Sequence, residues 1–250
     1  MRRDGALLAT AFCVAALAGC GIGGGGVKPD SAATQKREAA RIHTELGQKY
    51  MQQGKFEIAL QKLDAALSFD PDYVDAHTVR AVLYEQINDP TQAEQEYRRA
   101  AQLKPKGGNE LNNYAWFLCR HGHLAEAQDY FQRALADPFY KTPALALTNS
   151  GTCLRKAGRN AEAEAALRGA LEKDPNETEA LFELASVLYE KGEYFKARAF
   201  VQRFESLSQP RPDALMLGRN IELKLGNGSA AGDYTRRLLQ GFPDSQQARS

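Results

Sequence analysis

Small and large apolar residues recur along the chain in a fixed order that two packed helices require. The small residue Gly47 is followed by Tyr50, then by Ala59 and Leu63, with polar residues between them. The same order starts again at Ala81, Ala115, Gly151 and Ala185, and a degenerate sixth copy lies near Gly218. Apolar residues three, four and seven positions apart are typical of amphipathic helices. Each copy therefore predicts two helices that approach closely at the alanine.

The turns between these helices are marked as well. Residues that tolerate positive φ lie between the two helices of each unit, at Gly54, Asn88, Gly122, Gly158 and Gly192. Proline ends the second helix at Pro71, Pro105 and Pro175, whereas Phe139 takes this position in the third unit. The third and fourth units are two residues further apart than the others, so we expect a longer turn within residues 137–143.

Helix pairs that repeat every 34 residues are the signature of the tetratricopeptide repeat. The fold class predicted is therefore all-α, a right-handed α-solenoid of about six tetratricopeptide repeats. The repeat domain is expected over residues 36–250, with repeats near 40–73, 74–107, 108–143, 144–177, 178–211 and 212–245.

The first 20 residues indicate export. Arg2 and Arg3 precede an apolar run over residues 6–17, which is too short to span a bilayer and is typical of a signal peptide covering residues 1–19. The run closes in Leu-Ala-Gly-Cys, which resembles the lipobox of bacterial lipoproteins and implies a diacylglycerol-modified, acylated Cys20. Gly21 rather than Asp implies, by the same resemblance, the periplasmic face of the outer membrane. The alternative is a plain secretory signal with an incidental cysteine.

The charge pattern excludes nucleic acid as a partner. Removal of residues 1–19 takes two of 32 basic and one of 31 acidic side chains, so the remaining charge is about zero. Nucleic-acid binding needs a basic stripe, and the sequence has none. The glycines at residues 23–26 lack the following Lys-Ser/Thr of a phosphate-binding loop, so residues 20–35 are expected to be a lipidated flexible tether.

The two cysteines of the repeat domain and the histidines offer no metal or catalytic site. Cys119 and Cys153 fall on the first helices of neighbouring repeats, and either a disulfide or two buried free thiols fits an exported protein. Histidines occur at His43, His77, His121 and His123, at core or turn positions. Hydrolase, zincin and phosphate-binding motifs are absent from the sequence. We therefore expect no enzyme activity, cofactor, metal or small-molecule substrate.

A protein-binding groove is the remaining functional expectation. The first helices of such repeats line a concave face, and large aromatic side chains supply much of an interface's energy. Repeats three to five would present Asn109, Asn112, Asn113, Trp116, Arg120, Thr148, Asn149, Thr152, Arg155, Lys156, Phe182, Ser186 and Tyr189. Asparagine amides can pair with an extended peptide. A polar wall without a partner is the alternative, and Trp116 could instead pack between helices.

Three segments carry a more specific resemblance. The run from Glu110 to Cys119, the Asn-Ser-Gly-Thr-Cys run ending at Cys153, and the Ala-Leu-Met-Leu-Gly run ending at Gly218 resemble the type IV pilus biogenesis and stability lipoprotein (PilW/PilF) family. The resemblance implies a tetratricopeptide pilotin that binds the secretin subunit and helps its multimers to assemble in the outer membrane. Some members of that family are linked to pilus fibre stability. The alternative function is a scaffold for peptidoglycan-modifying enzymes or for another outer-membrane assembly complex.

Overall fold

The computed structural model describes residues 31–249, so Cys20, the predicted signal peptide and most of the predicted tether lie outside the described residues. The described chain contains twelve α-helices and one short 3-10 helix. The helices are α1 Ala32–Gln52, α2 Phe56–Phe69, α3 Val74–Gln86, α4 Pro90–Leu103, α5 Gly108–Arg120, α6 Leu124–Leu135, α7 Pro143–Lys156, α8 Asn160–Lys173, α9 Thr178–Glu190, α10 Tyr194–Leu207, α11 Pro212–Lys224 and α12 Gly228–Gly241. The 3-10 helix is Gln247–Arg249.

The helices form six antiparallel pairs that stack in chain order. Short turns reverse the chain after every helix, and each helix packs on its neighbours in sequence. The first helices of successive pairs also contact one another, as α5 contacts α7 and α7 contacts α9. They therefore form one continuous face. This arrangement confirms the predicted solenoid of tetratricopeptide repeats. Between residues 31 and 249, none of the helices has both the length and the apolar character that a bilayer span requires.

Small residues on the first helices make room for a large side chain on the second. A Cβ atom on Gly47 would lie 2.8 Å from Cγ of Leu63, and one on Gly151 would lie 2.6 Å from Cγ of Leu167. Both leucines are fully buried. Close packing of this kind explains why the sequence pattern repeats a small residue sixteen positions before a large one.

Every turn within a pair contains one residue with positive φ. These residues are Gly54, Asn88, Gly122, Gly158, Gly192 and Gly226. Since Gly226 follows Gly192 by 34 residues, and α11 and α12 follow α9 and α10 by the same interval, Gly218 lies one position earlier in its repeat than Gly151 does. The small-residue position of the sixth repeat is therefore residue 219, directly after Gly218 and inside the expected bounds 212–245. Gly218 also makes room for a large residue, the ring of Tyr234.

The turn between α6 and α7 is longer than the other turns between pairs, as predicted. It covers residues 136–142, whereas the other turns between pairs have four residues. Asp137 fixes it, because Oδ2 accepts a 3.0 Å hydrogen bond from the amide of Gly108 and Oδ1 accepts a 2.9 Å bond from the amide of Phe139. Tyr140 is buried against Gly108, where a Cβ atom would lie 2.4 Å from its ring. The extra residues therefore form an ordered turn docked on α5.

The first helix is longer than the sequence predicted. Helix α1 begins at Ala32, inside the segment 20–35 expected to be tether. The side chain of Ser31 accepts a hydrogen bond from the amide of Thr34, which caps the helix. The residues after Ser31 favour helix, and Ser31 caps its first turn. The helix therefore begins eight residues before residue 40, where the first repeat was expected to start.

Candidate protein-binding surface on the first helices

Two crosslinks hold α5 and α7 together beneath the predicted groove. Cys119 on α5 and Cys153 on α7 form a disulfide with a Cα–Cα distance of 5.9 Å. Asn149 on α7 donates a 3.1 Å hydrogen bond from Nδ2 to Oδ1 of Asn112 on α5. The two helices are therefore linked at two points. On α5, one point lies about a helical turn before Trp116 and the other about a helical turn after it.

Trp116 is half-buried between two cations. The guanidinium carbon of Arg120 lies 5.7 Å from the indole centroid, and Nζ of Lys156 lies 5.5 Å from it. Arg120 is ion-paired with Glu85 on α3, whose other carboxylate oxygen accepts a 2.9 Å hydrogen bond from the hydroxyl of Tyr97. Lys156 has no carboxylate partner among residues 31–249. The ring is therefore partly exposed and lies beside a positive charge that no carboxylate of the described residues neutralises.

The asparagines predicted to face a partner fall into two groups. Asn109 is exposed and Asn113 is half-buried, and neither side chain has a hydrogen-bond partner among the described residues. Asn112 is only 4% exposed, and its amide oxygen is used by Asn149. The prediction that Asn112 faces a partner was therefore wrong, because its side chain points into the contact between α5 and α7. Thr148, Thr152 and Ser186 are likewise buried.

Arg155 is held within the protein. Its Nε donates a 2.6 Å hydrogen bond to Glu183, and Nη1 donates a 2.8 Å bond to Glu190, both on α9. Burial lowers the pKa of Arg155, but these carboxylates outweigh burial and raise it above its ordinary value. Glu183 is 4% exposed, so the pair neutralises a buried charge. Arg155 thus orients α9 against α7, and its charge is already compensated before any partner binds.

The aromatic residues of α9 continue the surface. Phe182 is half-buried, with its ring centroid 5.7 Å from that of Phe204 and 4.1 Å from the guanidinium carbon of Arg211. Tyr189 is half-buried and packs against Tyr194 at 5.6 Å. Both line a hollow of about 280 Å³ that is continued by Met216 and Leu217 on α11. An apolar side chain of a partner could enter this hollow.

Sequence analysis missed the carboxylates that organise this face. Glu85, Glu183 and Glu190 pair with arginines 35, 28 and 35 residues away. In a 34-residue repeat, such separations place opposite charges on adjacent first helices. Opposite charges about one repeat apart were therefore a usable signal, although isolated glutamates resemble an ordinary solvated helix face.

Three histidines take structural positions in the described chain. Nδ1 of His77 lies 2.6 Å from Glu96, and Nε2 lies 2.9 Å from the carbonyl oxygen of Pro71. His43 stacks on Phe69, and His121 packs on Phe117 at 4.3 Å. Over residues 31–249, no three His, Cys, Asp or Glu side chains converge in a way that could hold a metal ion.

Comparison with known proteins identifies the family. The tetratricopeptide repeat family matches residues 44–108, 115–176 and 148–214. The type IV pilus assembly protein PilF of Pseudomonas aeruginosa is 28% identical over 229 residues, covering 92% of this chain and 90% of that protein.

Two solved structures agree. PilW, a widely conserved type IV pilus biogenesis factor, is 35% identical, with a TM-score of 0.78 over 84% of this chain and 96% of that one. Pseudomonas aeruginosa PilF is 27% identical, with a TM-score of 0.77 over 86% and 97%. The chain is a tetratricopeptide-repeat protein and belongs to the type IV pilus biogenesis family that includes PilF and PilW.

Proposed function

We propose that this protein is a non-catalytic, lipid-anchored scaffold of the outer membrane that binds secretin subunits and promotes their multimerisation. Kinship with PilF and PilW supports a role in type IV pilus biogenesis. The Leu-Ala-Gly-Cys sequence that ends at Cys20 supports the anchor. The secretin partner and the membrane location are the parts of the proposal that go beyond this kinship.

The surface around Trp116 is the observation that carries the proposal. It combines a large, half-buried ring and the unpaired amides of Asn109 and Asn113 on α5 with Lys156, a cation without a carboxylate partner in the described chain, on α7. Tryptophan is over-represented among the residues that dominate binding energy. Unpaired amides can donate to and accept from the backbone of an extended segment. The surface therefore fits an extended peptide with an apolar side chain for the ring and an acidic group for Lys156.

The crosslinks beneath this surface make it ready for binding. The disulfide and the Asn149–Asn112 bond fix α5 against α7. The two helices therefore lose little conformational entropy when a partner binds. A lipid anchor would confine each bound subunit to the membrane surface. Confinement raises the effective concentration of subunits for one another, which favours multimerisation without any new contact between them.

Binding is tested with purified protein and detergent-solubilised secretin subunits. Truncation of Trp116 to Ala should weaken binding by about thirtyfold, equivalent to about 2 kcal/mol. Phe195→Ala is the matched control, because Phe195 is an exposed ring that lies away from α5 and α7, at the start of α10. Equal affinities of the two variants would contradict the assignment of the surface, and no binding by the wild type would contradict the partner.

The anchor is tested separately in cells. Wild-type protein should incorporate clickable palmitate and fractionate with the outer membrane, whereas Cys20→Ala should remain unlabelled. Gly21→Asp should retain the lipid but move the protein to the inner membrane, if the sorting resemblance holds. An unlabelled wild-type protein would refute the lipid anchor without bearing on secretin binding in solution.

A further inference from the structure

The helix hairpins give the solenoid two distinct edges. Each first helix begins, and each second helix ends, at the same edge, because every short turn reverses the chain. We call this the inter-repeat edge, since it carries the turns at residues 70–73, 104–107, 136–142, 174–177 and 208–211. The opposite edge carries the turns within pairs, such as that at residues 191–193. Ala32, where α1 begins, therefore lies at the inter-repeat edge.

The inter-repeat edge presents the most exposed large apolar side chain of the described residues. Phe139 is 86% exposed, although its neighbour Tyr140 is buried. Asp137 accepts hydrogen bonds from the amides of Phe139 and Gly108, which fixes the backbone from which the exposed ring projects. Packing inside the protein gives no reason for an apolar ring at this position. Contact with a surface outside the protein would explain an exposed apolar ring.

Apolar and basic residues surround this ring. Phe139, Pro138, Pro105 and Ala136 line a hollow of about 510 Å³, together with Lys106 and Arg133. Lys106 is exposed, as is Lys141, which follows Phe139 by two residues in the chain. Neither lysine has an ion-pair partner among residues 31–249, whereas the nearby carboxylate of Asp137 is occupied by backbone amides.

The start of α1 adds positive charge to the same edge. Lys36 and Arg37 lie in its first turns, both exposed and without a carboxylate partner in the described chain. Anionic phospholipids attract clustered Lys and Arg, and an aromatic side chain that enters the headgroup region adds an apolar contribution. An exposed phenylalanine flanked by unpaired lysines therefore has the chemistry of a lipid-contact site.

The length of chain between Cys20 and α1 limits where the membrane can be. Residues 21–31 separate the predicted lipid-bearing residue from Ala32, and eleven residues span at most about 40 Å. Because this segment joins the inter-repeat edge, the anchor draws that edge, rather than the opposite one, toward the bilayer. The exposed ring at this edge would then meet lipid.

We propose that the turn at residues 136–142 is a membrane-contact site, in which Phe139 enters the headgroup region and Lys106 and Lys141 bind anionic phospholipid headgroups. The proposal rests on the lipid anchor at Cys20 included in the proposed function. It fixes the orientation of the protein on the membrane. The inter-repeat edge faces the bilayer, and the turns within pairs face away from it. A protein partner for the same ring is the competing occupant, and position relative to the anchor favours lipid.

Tryptophan fluorescence in the complete mature lipoprotein tests this orientation. Phe139→Trp and Phe195→Trp are each made with Trp116→Phe, so that each protein contains one tryptophan. Phe195 is the matched control because it is 71% exposed and lies at the opposite edge. The proteins are reconstituted on vesicles of phosphatidylethanolamine and phosphatidylglycerol whose acyl chains are brominated, which quench nearby tryptophan. Circular dichroism checks that both variants fold, and mass spectrometry and flotation check the anchor.

We expect quenching at position 139 to exceed that at position 195 by about twofold or more. Replacement of phosphatidylglycerol by phosphatidylcholine, or Lys106→Glu with Lys141→Glu, should reduce the difference. Equal quenching in a protein that floats with the vesicles would overturn the membrane-contact site while leaving the anchor intact. A protein that carries no lipid would overturn both. Crosslinking of position 139 to a protein in cells, without quenching by vesicles, would assign the turn to a protein partner and reject the lipid.

Discussion

The side-chain amide of Asn149 on α7 donates a hydrogen bond to the side-chain carbonyl of Asn112 on α5, 37 residues earlier. The disulfide between Cys119 and Cys153 joins the same two helices. Trp116 lies on α5 between these two links. The residue that we propose as the main contact for a partner therefore stands on the part of the solenoid where adjacent repeats are joined by side chains as well as by packing.

The first prediction concerns the hydrogen bond. Asn149→Ala leaves the buried amide oxygen of Asn112 without a partner, which should lower the free energy of unfolding by about 1–3 kcal/mol. Asn113→Ala is the control, because this half-buried amide has no partner among residues 31–249, and its effect should stay within about 0.5 kcal/mol. Urea unfolding measures both, and equal stabilities would show that the bond contributes nothing.

The second prediction concerns the disulfide. Cys119→Ser with Cys153→Ser should lower the free energy of unfolding by about 3 to 4 kcal/mol, because the bridge closes a loop of about 35 residues in the unfolded chain. Reduced wild-type protein should match the double variant. Mass spectrometry of protein isolated from the periplasm should find the linked peptide. Recovery of two thiols that react with an alkylating agent before any reduction would show that the two cysteines are free.

The third prediction uses two glycines in one repeat. Gly151→Ala should destabilise the protein by about 1–3 kcal/mol, since the new Cβ would lie 2.6 Å from Cγ of Leu167. Gly169→Ala places its Cβ 3.7 Å from Leu147, an ordinary contact, and should stabilise α8 by up to about 1 kcal/mol. Thermal unfolding of the pair measures the contrast. A stable Gly151→Ala protein would contradict the proposed close approach of α7 and α8.

The fourth prediction concerns pH. Burial raises the pKa of Glu96, but hydrogen bonds with His77 and Arg80 outweigh burial, so its pKa lies below the ordinary value. Stability from ionised Glu96 is therefore complete above the pKa of an unfolded glutamate, about 4.3, and is lost as pH falls through the lower folded value. Glu96→Gln should cost about 1–3 kcal/mol at neutral pH. The difference from wild type should shrink below about pH 4.

Urea unfolding between neutral and acidic pH measures this difference. Glu57→Gln removes an exposed glutamate from the first turn of α2 and should leave the pH profile parallel to that of the wild type. A Glu96→Gln protein whose deficit stays constant down to low pH would exclude ionised Glu96 as the source.

Local chemistry made most of the fold predictable. Asn88 and the turn glycines signal positive φ by residue type, and the small residues Gly47 and Gly151 signal close helix contact. In the sixth repeat, Gly218 packs against Tyr234 although it lies one position before the small-residue position of the other repeats. Residue type therefore indicated close packing correctly but did not fix the position within the repeat.

The surface was predictable only in outline. Periodicity placed Asn112 and Trp116 on the first helix. It did not show which way each side chain points around the helix axis, and Asn112 is only 4% exposed. The partners of Arg155 could not be read from α7 alone, since Glu183 and Glu190 come from the next repeat. The direction and partners of a polar side chain depend on both neighbouring helices, which a pattern along one helix does not describe.

Secretin assembly in cells is the decisive measurement. In a strain that lacks the wild-type gene, Trp116→Ala should fold, with helical content and melting temperature near those of the wild type, yet give markedly fewer secretin multimers and less twitching motility. Phe195→Ala should restore both, whereas Leu118→Ala should unfold the array at a cost of about 2–5 kcal/mol. Folded Trp116→Ala protein that restores multimers and motility fully would contradict binding through this surface, and unfolded Trp116→Ala protein would place the ring in the core.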